Sequence, residues 1–158
     1  MQKYDINYRL ATLDDIPVLV ENRIDFMLEI QGTKTQEEID LLRKELYSYF
    51  IKAIKDNTFI AFLAEIDNKT VGFSGLVLQS IPPSFSINNG SIAYILNMYT
   101  QKNYRGLGIC SKLMDLMIEK AKELNIKKLY LNATKDGYPI YIKKGFHSPN
   151  WVELELKL

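Results

Sequence analysis

Apolar residues recur along the chain with two different periods, which separate predicted helices from predicted strands. A three- and four-residue spacing places apolar side chains on one helical face, whereas dense or alternating apolar runs of about four to eight residues are typical of strands. The first pattern predicts helices from residue 16 to the break at Gly32, from about Thr35 to the break at 56–57, over 109–124 and over 138–144. The second predicts strands over 6–10, 59–66, 71–78, 91–99, 127–133 and 151–158.

Polar residues at two joints support these boundaries. Thr12, with Asp15 three residues later, resembles a capping box at the start of the first helix, with Asp in place of the usual Glu or Gln. The segment 67–69, Asp-Asn-Lys, is typical of a hairpin turn. We therefore expect strands 59–66 and 71–78 to be antiparallel neighbours.

The element order β-α-α-β-β-β-α-β-α-β predicts a mixed sheet covered by helices. It contains a strand-helix-strand unit over residues 91–133, which requires a right-handed parallel crossover beside an otherwise antiparallel meander. A chain of 158 residues with 47% hydrophobic residues fits one domain with a single full core. We therefore expect one domain over residues 1–158.

The composition limits the binding partners and the cellular compartment that we expect for this chain. The 20 Lys and Arg residues against 19 Asp and Glu residues leave a formal net charge of +1, so no global field favours nucleic acid or an anionic membrane. No apolar run approaches a membrane span, and the first residues lack a signal-peptide stretch. One cysteine excludes an internal disulfide, which favours a reducing cytoplasmic setting. The single histidine, His147, lacks nearby ligand partners, so no metal site is expected.

The candidate chemistry is concentrated in residues 104–111, Tyr-Arg-Gly-Leu-Gly-Ile-Cys-Ser, between an apolar strand and a long amphipathic helix. Glycine at 106 and 108 lets the backbone adopt conformations that a Cβ would forbid and lets its N–H groups approach a ligand closely. The free N–H groups and the positive dipole end of the next helix act at the same place. The loop therefore predicts a site for a phosphate or pyrophosphate.

Three types of phosphate loop compete for this turn. A P-loop would need Gly-Lys-Ser/Thr, which is absent, and a dinucleotide-binding loop would need glycine where Ser111 stands. The third type fits: Arg105-x-x-Gly108-x-Cys110 after a strand, followed about thirty residues later by Tyr141-x-x-x-Gly-Phe. With these two linked motifs the chain resembles the GCN5-related N-acetyltransferases (GNAT family).

The resemblance implies an α+β fold of three layers, α/β/α, the acyl-CoA N-acyltransferase fold, over a single GNAT domain at 1–158. Its sheet is mixed and mostly antiparallel, with one splayed pair of parallel strands. The implied cofactor is acetyl-CoA, with its pyrophosphate on the glycine loop and its pantetheine arm between the splayed strands. The implied cofactor-binding residues are Met98, Tyr99, Thr100, Arg105, Gly106, Leu107, Gly108, Ile109, Cys110, Ser111, Asn132, Thr134 and Tyr141.

The resemblance also implies the catalytic roles. Tyr141 is the expected general acid for the leaving thiolate, and the backbone N–H of Met98 is expected to polarise the thioester carbonyl. The glutamate that the family often places before the loop is missing here, which leaves the base open. Asn97 could orient a water or the amine, since an amide is not basic, and Tyr94 shares its face only if the strand carries a bulge. Glu29 is a third option, although its position favours a solvent-facing side chain.

The predicted function is transfer of an acetyl group from acetyl-CoA to a primary amine of a small molecule or peptide, by direct attack on the thioester. The alternative is a non-catalytic module that senses acyl-CoA and acts on a partner protein. Similar proteins are commonly dimers, so a homodimer is among the open oligomeric states. Two further expectations concern single residues. Cys110 should be a small buried residue, although a helix N-terminus can lower a thiol pKa and make the thiol reactive when the site is empty, and Trp151 should be a core residue.

Overall fold

Five strands form one mixed sheet in the computed structural model, which describes residues 4–158. The strands are β1 (Asn7–Leu10), β2 (Phe59–Ile66), β3 (Lys69–Ser80), β4 (Ser91–Thr100) and β5 (Lys128–Tyr130). The helices are α1 (Ile16–Gln31), α2 (Gln36–Lys55), α3 (Ile109–Glu123) and α4 (Tyr138–Lys143). The strand order is β1-β2-β3-β4-β5, antiparallel except for the parallel pair β4 and β5.

Capping boxes begin the first two helices. Thr12 and Asp15 cap each other reciprocally around a short 3-10 turn that leads into α1, so the predicted capping box is confirmed. Thr35 and Glu38 form a second capping box at the start of α2. Gly32 ends α1 with a φ of 81°, which favours glycine. Local polar contacts therefore set these helix boundaries.

Apolar side chains fill both faces of the sheet. On one face Leu19 and Val20 of α1 and Phe50 of α2 pack in a core with Phe73 of β3. On the other face the fully buried side chains of α3 pack in a second core with strand residues. The predicted three-layer α/β/α architecture is therefore confirmed. No helix within residues 4–158 is both long and apolar enough to cross a membrane.

A bulge interrupts β4 at Asn97. The ladder with β3 pairs Phe73 with Tyr99 and Gly75 with Leu96, so β4 has one extra residue between those pairs. Asn97 has a φ of 58°, in the left-handed region that asparagine tolerates better than most residues. Because the extra residue reverses the alternation, the Asn97 side chain points toward α1, where it contacts Arg23.

The parallel strands β4 and β5 separate after only three paired positions. Pairing runs from Ile92 with Lys128 to Tyr94 with Tyr130, while β4 continues alone to Thr100. The predicted strand over 127–133 is therefore too long, because beyond Tyr130 the diverging β4 offers no ladder partner. The separation opens a gap at the carboxyl end of the parallel pair.

The predicted last strand at 151–158 does not form, and this expectation is wrong. The segment has no regular secondary structure, and five large apolar side chains in it are 83–115% exposed, including Trp151, which was expected in the core. The remaining four are Val152, Leu154, Leu156 and Leu158. Alternation identifies side chains suited to a strand, but the ladder also needs a partner, and here the segment is not paired with β5.

Candidate active site

A cavity of about 690 Å³ occupies the gap where β4 and β5 separate. Its wall combines the end of α1, the end of β4, the glycine loop and α4. Eleven of the predicted cofactor-binding residues line it: Met98, Tyr99, Thr100, Arg105, Gly106, Gly108, Ile109, Cys110, Ser111, Thr134 and Tyr141. Leu107 and Asn132 are not among the lining residues. The fold thus gathers in one cavity two motifs that are about thirty residues apart in the sequence.

The glycine loop presents backbone N–H groups to this cavity. Gly106 and Gly108 have φ values of 81° and 79°, and a Cβ at either would meet open space, so the dihedral angle is the reason for glycine. Gly108 is the N-cap of α3 and has no side-chain cap. The N–H of Arg105 donates to the carbonyl of Lys102 at 3.3 Å. The candidate anion donors therefore begin at Gly106 and extend through the first turn of α3.

The end of β4 forms a second wall with unused polar groups. Beyond Tyr94 the edge of β4 that faces away from β3 has no strand partner. Thr100 lines the cavity, and its hydroxyl is buried and has no hydrogen-bond partner within residues 4–158. Buried polar atoms of this kind are rare in folded proteins unless a ligand or water satisfies them. This wall can therefore hydrogen-bond an extended polar ligand.

Tyr141 of α4 brings a phenol to the cavity wall. Its side chain is buried, and burial raises its pKa to about 12, with a smaller contribution from the neighbouring Cys110. The phenol is therefore fully protonated at neutral pH. It can donate a hydrogen bond or a proton, but it cannot serve as a base there.

Two glycines place Tyr141, and sequence reasoning missed one of them. Gly145 has a φ of 93°, which ends α4 and lets the N–H of Phe146 donate to the Tyr141 carbonyl at 3.1 Å. This turn explains the Tyr-x-x-x-Gly-Phe motif, since it packs the Phe146 ring against Tyr141. A Cβ on Gly137 would lie 2.9 Å from the Tyr141 ring and hydroxyl. The sequence signals the role of Gly137 only by placing a glycine just before the Tyr-Pro pair that begins α4.

Glu29 is exposed to solvent, as expected, and it also lines the cavity. Its carboxylate accepts hydrogen bonds at 2.7 and 2.9 Å from Nη2 of Arg105. Nε of Arg105 donates to the Thr100 carbonyl at 2.9 Å, and the guanidinium lies 5.8 Å from the centre of the Tyr99 ring. The Arg105 side chain therefore ties the glycine loop to α1 and β4. As a base, Glu29 would first have to leave this ion pair.

Asn97 and Tyr94, the candidate residues for orienting the acceptor amine, lie near each other and are not among the residues that line the cavity. Asn97 is buried, and its Oδ1 accepts a hydrogen bond of 2.5 Å from Nη1 of Arg23. Leu96 packs against the core on the α1 side, and Tyr94 lies two residues before it on β4, so the bulge brings Tyr94 and Asn97 to the same face. The amide of Asn132 donates to the Tyr94 hydroxyl at 3.4 Å. Sequence reasoning missed Arg23, which only the bulge brings to Asn97.

The pKa of the Cys110 thiol is raised, which agrees with a small buried residue and contradicts the hypothesis of a reactive thiolate. Burial raises its pKa, since the apolar surroundings disfavour the thiolate. The helix N-terminus does not outweigh that effect here.

Within residues 4–158 no group of three His, Cys, Asp or Glu side chains could hold a metal ion.

Comparisons with known proteins agree with this geometry. The model of the acetyltransferase (GNAT) family matches residues 24–146. A predicted acetyltransferase from Clostridium acetobutylicum, solved with acetyl-CoA, is 34% identical over 96% of both chains, with a TM-score of 0.83. A GCN5-related N-acetyltransferase from Ralstonia eutropha JMP134 has the same TM-score at 20% identity, covering 96% of this chain and 99% of that chain. The ribosomal-protein-alanine N-acetyltransferase from Brucella melitensis biovar Abortus 2308 is 19% identical, covers 98% and 99%, and has a TM-score of 0.73.

The chain belongs to the GNAT acetyltransferase family, because the family model covers most of its length and the clostridial relative matches it nearly end to end. The two more distant structures support the fold alone. Family and fold agree with the mixed sheet and its separated parallel strands. The resemblance stated from the two motifs is therefore confirmed.

Proposed function

We propose that this protein is an acetyl-CoA-dependent N-acetyltransferase that moves an acetyl group to a primary amine of a small molecule or peptide. The observation that carries the proposal is the cavity itself, which the glycine loop, the end of β4 and Tyr141 line together. The amine attacks the thioester directly. We place the reaction in the cytoplasm, where a single unpaired cysteine is ordinary.

Acetyl-CoA is the cosubstrate, and the residues present fit it. The N–H groups from Gly106 to Ser111 form a concave anion site at a helix N-terminus, which suits the pyrophosphate. The unpaired edge of β4 and the Thr100 hydroxyl suit the polar groups of the pantetheine arm. The clostridial relative, similar over nearly its whole length, was solved with acetyl-CoA.

Three of the predicted cofactor-binding residues, Thr134, Leu107 and Asn132, have less support as contacts of the cofactor than the others. Thr134 lines the cavity, but its hydroxyl already accepts a hydrogen bond of 3.2 Å from the Gly137 N–H. Leu107 contributes through its backbone position between two lining glycines. Asn132 contacts Tyr94 and would act on the ligand indirectly. We retain all three as secondary contacts.

Two groups of the protein act on the thioester, which acetyl-CoA supplies in activated form. The Met98 N–H, on the unpaired end of β4, stabilises the negative charge that develops on the thioester oxygen, an effect worth about 3 kcal/mol at comparable sites. The protonated phenol of Tyr141 stabilises the departing thiolate by donating to its sulfur. Its pKa of about 12 favours a strong hydrogen bond over complete proton transfer to a less basic thiolate.

Asn97 and Tyr94 act on the acceptor side. A lysine-like amine is neutral in only about one molecule in a few thousand at pH 7, so its proton must be removed before attack. Asn97 is not basic, and its oxygen is held by Arg23. We therefore assign Tyr94 the role of orienting the amine and the water that takes its proton, while the buried Asn97 acts indirectly by positioning Arg23.

Turnover of acetyl-CoA with a panel of primary amines tests the proposal. The panel contains amino acids, polyamines, aminoglycosides and peptides, and release of coenzyme A is measured. In Tyr141→Phe we expect kcat to fall about 100-fold while the Kd for acetyl-CoA changes less than about twofold, since the phenol acts on the leaving group. Failure to bind acetyl-CoA at tens of micromolar would refute the proposal. Binding without turnover of any amine would instead favour a sensing module.

A further inference from the structure

Arg23 is the one arginine without a carboxylate partner in the described chain, which contains all four arginines of the sequence. Arg9, Arg43 and Arg105 each have a carboxylate oxygen within 2.8 Å. Arg23 has only the neutral Oδ1 of Asn97, at 2.5 Å. Burial lowers the pKa of Arg23, as expected for a cation whose charge is poorly compensated. Such a charge is costly unless an anion pairs with it.

The unused donors of Arg23 remain accessible to a ligand. A guanidinium has five N–H donors in a planar fork that suits a carboxylate, and only one of them is used by Asn97. Arg23 is only partly buried, so part of its side chain faces solvent. A small anion can therefore reach this side chain from solvent.

The position of Arg23 places such an anion beside the reaction. Asn97, its partner, directly precedes Met98, and consecutive Cα atoms are about 3.8 Å apart. Met98 lines the acetyl-CoA cavity, whereas Arg23 and Asn97 are not among its lining residues. An acceptor held by Arg23 would therefore lie next to the cavity and reach the thioester at Met98.

Three acidic residues of the first two helices are already engaged by other groups of the protein, whereas burial raises the pKa of Asp25, which favours its neutral form. Glu21 pairs with Arg43, and Glu29 pairs with Arg105. Glu38 is used in the capping box of α2. The uncompensated charge next to Asn97 is thus positive, and it favours an acceptor with a negative group.

We propose that Arg23 binds a carboxylate of the acceptor, so that the substrate class is a primary amine that carries a carboxylate, an amino acid. This rests on the proposed acetyltransferase function and names the acceptor for the same site. Arg23 is held by Asn97, and Asn97 is next to Met98 in β4, so this site suits an acceptor whose amine and carboxylate lie close together.

Paired substrates test the assignment in the unmodified enzyme. Coenzyme A release is measured with amino acids, with the matching amino acid carboxamides, and with putrescine as a dication. We expect kcat/KM to be about 10–100-fold higher for an amino acid than for its carboxamide, the range of one charge-assisted hydrogen-bond pair. Arg23→Gln should remove this difference, because it should lower kcat/KM for the amino acid and leave kcat/KM for the carboxamide unchanged.

Two variants serve as controls. Arg43→Gln removes a partly exposed arginine of α2 and should leave the ratio unchanged. Arg23→Lys keeps the positive charge and should restore part of the preference if Arg23→Gln folds poorly. The Tm and the Kd for acetyl-CoA report folding. Equal or better turnover of carboxamides or putrescine would overturn this inference alone, whereas acetyl-CoA binding without turnover of any amine would overturn the proposed function as well.

The exposed segment 151–158 independently supports a second inference. Val152, Leu154, Leu156 and Leu158 alternate with charged residues and are almost fully exposed. Monomeric proteins rarely expose a contiguous apolar surface of this kind. β5, last in the strand order, has one edge free in the described part of the chain, and exposed edges pair readily with another strand.

Charge indicates which strand would pair with this edge. Lys127 and Lys128 lie at the start of β5, and Glu153 and Glu155 lie between the apolar residues of the segment. We infer that residues 151–158 of one copy pair with the β5 edge of a second copy, and reciprocally, in a symmetric dimer. Pairing would bury the apolar row and bring opposite charges together.

Sedimentation of the full chain tests the dimer. We expect a dimer at micromolar concentration, and a monomer when Leu154 and Leu156 are both changed to Lys. Leu41→Lys, at an exposed leucine of α2, is the matched control and should remain dimeric. Exchanging the charges, with Lys127→Glu and Lys128→Glu, should weaken the dimer, and adding Glu153→Lys and Glu155→Lys should restore it. A monomeric protein, or a dimer insensitive to these changes, would overturn the inference.

Discussion

The strongest prediction concerns the two left-handed glycines of the loop, Gly106 and Gly108. Replacing either by alanine forces a Cβ into a region that costs about 1–2 kcal/mol per residue. The lower entropy of the unfolded alanine chain offsets about 0.4–1 kcal/mol of this. The net loss of about 1 kcal/mol corresponds to a fall in Tm of roughly 2–4 °C for a protein of this size.

Affinity for acetyl-CoA should change far more than stability in these variants. Relaxing the strain rotates the N–H groups of the loop away from the cavity, and a hydrogen bond to a charged group is worth about 1.5–3 kcal/mol. Loss of one such bond raises the Kd about 10–100-fold, which titration calorimetry measures directly. Gly108→Asn should retain more affinity than Gly108→Ala, because asparagine tolerates the left-handed region better.

Gly32→Ala is the matched control for this pair. Gly32 has the same φ of 81° as Gly106, a Cβ there would also meet open space, and it does not line the cavity. Its ψ of −176° is less accessible to other residues, so alanine there should destabilise the fold at least as much. Unchanged Kd values for acetyl-CoA in both loop variants would refute the assignment of the loop to the pyrophosphate. An equal loss of affinity for acetyl-CoA in Gly32→Ala would refute it as well.

Three further predictions concern single side chains. Gly137→Ala places a Cβ 2.9 Å from the Tyr141 ring, so kcat should fall about 10–100-fold with little change in Tm, and an unchanged kcat would contradict the placement of the phenol. Hydrogen bonds from Arg9 lower the pKa of Asp15 in the folded protein. Their contribution to the stability of the fold is therefore complete above the pKa of Asp15 in the unfolded chain, and it is lost as pH falls through its pKa in the folded protein. In urea titrations Asp15→Asn should lower the free energy of unfolding by about 1 kcal/mol at pH 7, with a difference that shrinks below about pH 4. Because burial raises the pKa of Cys110, its alkylation followed by mass spectrometry should be slower than that of a free thiol and slower still with acetyl-CoA; rapid alkylation would contradict this.

Much of the fold follows from patterns that are local in the chain. Apolar periodicity and capping residues such as Thr12 and Thr35 place α1 and α2, because helix boundaries depend on nearby backbone groups. Strand pairing is less local. β5 ends at Tyr130 because β4 turns away from it, and residues 151–158 stay unpaired despite their alternation, since a strand depends on a partner that no local pattern specifies.

The sequence by itself determined the glycine loop, the Tyr141 motif and their common purpose, because backbone dihedral angles and helix termini are properties of a few consecutive residues. The tertiary structure decided which side chains surround the reaction. The bulge at Asn97 brings Arg23 to β4, and the pair of Glu29 with Arg105 forms across 76 positions of sequence. Contacts of that kind depend on how helices lie across the sheet, so only packing could reveal the uncompensated charge from which the acceptor is inferred.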